Sequence, residues 1–253
     1  MDLGLKGFRA VVTGATKGIG RAIANTLADE GANVSICARD DAEVQEAVAA
    51  LQAKGVDAFG SALDVADGAS MKRWVEASAL RFGGLDIVIA SVSALAIGQD
   101  EENWRKSFEI DMMGCVRLVD AALPWLEKSS AGSIVAISSV SGREIDFAAG
   151  PYGTFKAALV HYVQGLAYQR APQGIRANTV SPGNTYFPGG VWEQIQHGNP
   201  ELYQKALALN PTGRMGTPQE MANAVAFIAS PAASFISGTN LVVDGALTRG
   251  VQL

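Results

Sequence analysis

The sequence has few of the features that mark extracellular, metal-bound or nucleic-acid-binding proteins. It contains two cysteines, Cys37 and Cys115, and neither falls in a CxxC or Cys/His spacing, so no disulfide framework or zinc site is expected. Both read as small core residues. Two histidines, His161 and His197, lack metal-ligand spacing and a nucleophile partner; the first reads as a helix residue and the second as surface. Lys and Arg number 20 against 25 Asp and Glu, with no basic cluster, which argues against a nucleic-acid partner. No apolar run approaches the roughly 20 residues that span a bilayer. The start, MDLGLKGFRAVVTG, lacks the charged beginning, long apolar run and cleavage site of a secretory signal, so the expectation is a cytoplasmic protein with no membrane partner.

Short β-branched runs alternate with longer stretches of helical period. The runs lie at residues 8–13, 33–38, 56–62, 85–90, 132–137, 174–180 and 240–243, and most are apolar enough to be covered on both faces. Between them Ile19, Ile23 and Leu27, then Val44 and Val48 with Leu51, then Met71, Val75 and Ala79 recur at helical spacing. Gly31, Gly55 and Gly83 stand where such helices end. The pattern predicts an α/β fold: one Rossmann-like domain over 1–253, with a doubly wound, seven-stranded parallel sheet and helices on both faces. Residues 181–217 break the rhythm with Gly, Pro, Asn and aromatics, and a substrate lid is expected over about 184–217.

The first strand runs through Gly14, Ala15, Thr16, Lys17, Gly18, Ile19 and Gly20 directly into a helix. Glycines allow a tight turn and close backbone approach, while a helix N-terminus offers free N–H donors to a pyrophosphate. The stretch TGATKGIG resembles the TGxxxGxG cofactor motif of the short-chain dehydrogenase/reductase family, and further matches run from residue 8 to about 245, with 3-oxoacyl-carrier-protein reductases as the nearest type. In that family the end of the second strand selects the cofactor. Arg39 at that point, with Lys17 in the glycine loop, implies NADP(H), because a guanidinium pairs well with phosphate. NAD(H) is the alternative, since Asp40 and Asp41 follow and could take ribose hydroxyls or simply begin the next helix. Asp64 and Val65 resemble the pair that contacts adenine; on the bare sequence they read as a cap and a core residue.

Ser138 and Ser139 close the fifth strand, Tyr152 follows thirteen residues after Ser139, and Lys156 lies one helical turn further on the same face. A free phenol has a pKa near 10, and an ammonium beside it stabilises the phenolate. A Ser donor polarises and orients the substrate carbonyl. The set resembles the family's catalytic triad, with the second serine in the catalytic register, and implies hydride transfer between nicotinamide and a carbonyl or secondary alcohol, with Tyr152 as general acid/base. Pro182 and Gly183 match the family's turn beside nicotinamide. Phe187 replaces its threonine, and Thr185 lies nearer. The resemblance also implies a homotetramer built through helices at 102–128 and 152–171.

Two departures stand out. Asp111, in FEIDMMG, occupies the family's fourth catalytic position, an Asn, and Ala90–Ser93 replaces Asn-Asn-Ala-Gly. Two other readings stay open: an NAD-dependent alcohol dehydrogenase of the same fold, or, motivated by these departures, a cofactor binder without turnover. An enoyl reductase of the divergent group fits less well, because that group spaces Tyr and Lys more widely. Lid residues Tyr186, Phe187, Val191 and Trp192 imply apolar contact with a small-molecule substrate of unspecified class.

Overall fold

The computed structural model describes residues 2–250; residue 1 and residues 251–253, at the ends of the expected domain, lie outside the described residues. All seven expected strands form, as β1 (Arg9–Thr13), β2 (Asn33–Ala38), β3 (Ala58–Ala62), β4 (Ile87–Ala90), β5 (Ser133–Ile137), β6 (Arg176–Pro182) and β7 (Asn240–Val243). They make one sheet in the order β3-β2-β1-β4-β5-β6-β7, parallel at every pairing. The chain winds outward from β1 to β3 and then returns to place β4 beside β1. Connections on the two sides of that junction leave in opposite directions, which opens a crevice at the carboxyl ends of the strands.

Two cores cover the sheet, and the two-residue side-chain period of the strands divides them. In β1, Ala10 and Val12 join Ile23 and Leu27 of α1 (Gly18–Asp29), Val44 and Leu51 of α2 (Asp41–Gln52), and Val225 of α9 (Pro218–Ala229). Val11 faces the other way, toward Met71 and Trp74 of α3 (Gly68–Phe82), Leu118 of α5 (Gly114–Leu126), and Leu159 and Val163 of α6 (Pro151–Arg170). Each fully buried Leu or Ile contributes about 1.5–3 kcal/mol. The expected glycine caps are present: Gly31, Gly55 and Gly83 have φ of +82°, +85° and +76°. Arg9 ties β1 to β4 through two 2.7 Å bonds to Asp86, whose Oδ1 also accepts from Ser129 at 2.6 Å.

One expectation needed correction. Strand β6 continues to Pro182 rather than stopping at 180, because Ser181 and Pro182 still pair with Val242 and Val243. The stretch over 184–217, where the alternating rhythm breaks, still forms regular structure: it carries α7 (Val191–Gly198) and α8 (Pro200–Ala208), whose Trp192 and Ala206 pack with Met215 into a small separate core. Between α3 and α5, α4 (Glu101–Ser107) runs into a π-helical turn, Phe108–Met113. Among the described residues no helix is long and apolar enough to cross a membrane, and none of their His, Cys, Asp or Glu side chains gather into a metal-binding group.

Candidate active site

The carboxyl ends of the strands open into a cleft of about 640 Å³. Its floor is the glycine loop, Gly14 and Thr16–Gly20. Gly14 sits at φ +65°, and a Cβ on Gly20 would come within 2.2 Å of the Gly14 carbonyl oxygen, so the loop folds onto the helix only with glycine there. Helices α2, α3 and α4 carry capping aspartates, Asp40, Asp67 and Asp100, whereas α1 has neither a capping side chain nor an acidic residue in its first turn. Its bonding begins with Arg21 N–H donating to Lys17 C=O at 3.1 Å, which leaves the amides before it without a helix partner. Uncapped, positively polarised and glycine-lined, this end of the cleft fits an anionic dinucleotide.

Beyond the glycine loop, at the same end of the cleft, stand Arg39, Asp64 and Val65. Arg39 is exposed and has no side-chain partner among the described residues. Asp40 accepts from Glu43 N–H at 3.0 Å and Asp41 accepts from Gln45 at 3.3 Å, so both acids serve the start of α2. Asp64 is exposed and receives Ala66 N–H at 2.9 Å, while Val65 is buried against Gly114. Glu43, which the sequence pattern did not single out, also lines the cleft; it pairs with Lys17 and accepts from the Thr16 hydroxyl at 3.2 Å. The hydrogen bond to Glu43 raises the Lys17 pKa.

At the other end the cleft is lined by Ser139, Tyr152 and Lys156. The turn after β5 packs closely on α6: a Cβ on Gly153 would lie 2.7 Å from the Ser141 carbonyl oxygen, and one on Gly142 would lie 2.8 Å from the Ala157 nitrogen. Ser138 donates to the Lys156 carbonyl at 2.8 Å and so fastens helix to strand, while Ser139 Oγ accepts from Ser141 N–H at 3.1 Å. Lys156 is buried. Its Nζ donates to the Ile137 carbonyl at 3.0 Å and stands 5.7 Å from the Tyr152 ring centre. Asp111, in the π-helical turn, does not line this cleft but borders a much smaller void behind it, of about 10 Å³.

Pro182, Gly183 and Thr185 edge the same end, and the Thr185 hydroxyl donates back to the Gly183 carbonyl at 3.0 Å. Ser91, Val92 and Ser93 line the cleft too, and Ser91 N–H donates to the Thr13 hydroxyl at 3.0 Å, so the altered loop still braces β1 against β4. The segment after β6 meets the glycine loop through Phe187, whose ring occupies the space a Cβ would need on Gly18 or on Gly190. Leu95, Ile97, Phe147, Val191 and Trp192 form an apolar wall.

Residues 14–248 match the family profile described as enoyl-(acyl carrier protein) reductase. A short-chain dehydrogenase from Burkholderia cenocepacia, solved with NADP, superposes with a TM-score of 0.88 at 30% identity, covering 96% of this chain and 98% of that one. The chain belongs to the short-chain dehydrogenase/reductase family. Within the family it is 43% identical to isoepoxydon dehydrogenase of Penicillium expansum, over 100% of this chain and 99% of the relative. A 7α-hydroxysteroid dehydrogenase solved with NADH and a 7-oxo bile acid conjugate gives a TM-score of 0.90 at 29% identity, covering 97% of this chain and 96% of that one. Like these members, this protein is an oxidoreductase that transfers hydride between a nicotinamide cofactor and a carbonyl or alcohol.

Proposed function

We propose that Ser139, Tyr152 and Lys156 carry the reaction and that NADP(H) is the preferred cofactor. Bound in the cleft, the nicotinamide supplies or accepts the hydride. Ser139 donates to the substrate oxygen and fixes its position, and Tyr152 gives that oxygen a proton in reduction and takes it in oxidation. Lys156 holds positive charge behind the phenol and reaches the nicotinamide ribose. Asp111 positions Lys156 from the side remote from substrate. Gly14, Thr16, Lys17, Gly18, Ile19 and Gly20 receive the pyrophosphate, Asp64 and Val65 the adenine, and Pro182, Gly183 and Thr185 the nicotinamide. The observation that carries this reading is the single cleft joining the uncapped α1 end to the Ser139, Tyr152 and Lys156 cluster.

Preference for NADP(H) is supported by the unpartnered Arg39 and by the engagement of Asp40 and Asp41 in α2. Identity of 43% over both whole chains makes isoepoxydon the first substrate to try. Residues 184–217 act as the substrate lid, and the single domain spans 1–253. A cytoplasmic location agrees with two free, buried cysteines. A homotetramer agrees with the exposed aromatics Trp104, Phe108 and Tyr168 on and beside α4 and α6. Tyr152→Phe tests the chemistry: turnover should fall by ~10²–10⁴ with cofactor affinity little changed. Near-parental turnover by the folded variant would remove Tyr152 from the mechanism.

A further inference from the structure

The adenosine end of the cleft holds a carboxylate where a nucleotide phosphate would arrive. Glu43 is the third residue of α2, and its amide is fixed by the Asp40 cap, so its side chain leaves the helix at a defined point and reaches back to the glycine loop. There one oxygen pairs with Lys17 and the other accepts from Thr16 at 3.2 Å. Arg39, four residues earlier, has no such partner among the described residues. Of the two cations facing this end, one is free and one is already engaged.

We infer that Glu43 is a specificity-determining residue that sets how strongly the protein prefers NADPH over NADH, by holding Lys17 and by presenting negative charge to the 2′-phosphate. The inference rests on the reading that this phosphate binds at Arg39. A phosphate monoester carries about −1.5 to −2 charge near neutral pH. It competes with the carboxylate for the Lys17 ammonium and is repelled by the carboxylate itself. NADH brings hydroxyls to the same place and leaves the Lys17–Glu43 pair intact. The effect is therefore a difference between two cofactors, not a general gain or loss of binding.

The test is equilibrium binding to the purified full chain, read by fluorescence, with NADPH, NADH, 2′,5′-ADP and 5′-AMP as probes. Glu43→Gln keeps the size and the cap geometry but removes the charge. It should tighten NADPH and 2′,5′-ADP roughly five-fold, the scale of one released exposed ion pair, and leave NADH and 5′-AMP within about two-fold. The gain should vanish when Lys17→Met is added and shrink at high salt. Unchanged NADPH affinity, equal changes for both cofactors, or weakened NADH binding would overturn the inference; the last would make Glu43 a ribose ligand instead. The underlying reading fails separately: Arg39→Ala would then leave NADPH affinity unchanged, whatever Glu43→Gln does.

Discussion

Lys156 Nζ stands 3.2 Å from Asp111 Oδ1, and both side chains are buried. The approach is within ion-pair distance but lies off the direction of a hydrogen bond, so Oδ1 has no hydrogen-bond partner. The other oxygen, Oδ2, accepts from Ser107 at 3.0 Å and from Ala94 N–H at 3.2 Å. Asp111 is thus held by its neighbours and faces the lysine mainly as charge. Asp111→Asn removes the charge that faces Lys156 but keeps one acceptor oxygen in the turn, so turnover should fall about ten-fold, less than on removal of the whole group. Asp111→Ala leaves the Lys156 ammonium without its carboxylate and should cost about 3–5 kcal/mol in stability. Its misplaced lysine should lower turnover ~10²-fold or more. Denaturant titration and steady-state kinetics of the two variants check both statements.

Arg39→Ala should weaken NADPH roughly 10- to 100-fold, the range for a charged hydrogen bond, and spare NADH. Equal losses for the two cofactors in a binding titration would contradict the assignment of the 2′-phosphate to this residue.

Gly153→Ala tests the close packing that brings the serine turn to α6. The added Cβ meets backbone oxygens of Ser141 and Ala148 at 2.7 and 3.0 Å, so the turn itself must move. The expected cost is about 1–3 kcal/mol in stability. A fall in kcat should accompany it with cofactor affinity nearly unchanged, because the dinucleotide loop is remote from the shift. A parallel loss of NADPH binding would show that the displacement spreads across the sheet.

Asp86 gives a pH-dependent prediction. Burial raises its pKa, but the hydrogen bonds from Arg9 and Ser129 outweigh burial and hold the carboxyl below its ordinary value. Its folded-state pKa is therefore lower than in the unfolded chain, so the stabilisation is complete above about pH 3.9 and is lost as pH falls through the lowered value. Asp86→Asn should cost about 3 kcal/mol at pH 7. The gap from the parent should close in strong acid, as followed by denaturation at several pH values.

Assembly is tested on the exposed face. Trp104 and Phe108 both pack on Phe155, with ring centres 6.0 and 5.7 Å apart, and Tyr168 projects from α6 at 86% exposure. Light scattering at micromolar concentration should give four times the chain mass, and Phe108→Glu should lower it. A parent that runs as a monomer would reject the tetramer.

The sheet was readable because its strands are continuous apolar runs bounded by helices with clear periodicity and glycine ends. Helices α7 and α8 were not, because the preceding Gly- and Pro-rich stretch masks the spacing of Val191, Trp192 and Ile195. The glycine loop, Arg39 and the Ser139, Tyr152 and Lys156 set were legible from motif spacing, whereas Leu95, Ile97 and Phe147 were not, and two further relationships were hidden. Glu43 looks like an ordinary acid in the first turn of a helix, favourable to its dipole. Asp111 meets Lys156 across 45 positions of sequence from within a π-helical turn, and hydrophobic periodicity carries no sign of such a turn.

The junction of β1 and β4 divides labour along the sheet. Arg39, Glu43 and Asp64 follow β2 and β3 on one flank, whereas Ser139, Tyr152 and Thr185 follow β5 and β6 on the other. On the proposed assignment the two flanks share the cleft but no strand, so the residues that meet the adenosine 2′-phosphate and those that meet the reacting centre can change independently. Grafting the 39–65 segment from an NADH-using relative should exchange the redox currency of this protein while the repertoire of alcohols and ketones it accepts stays as it was.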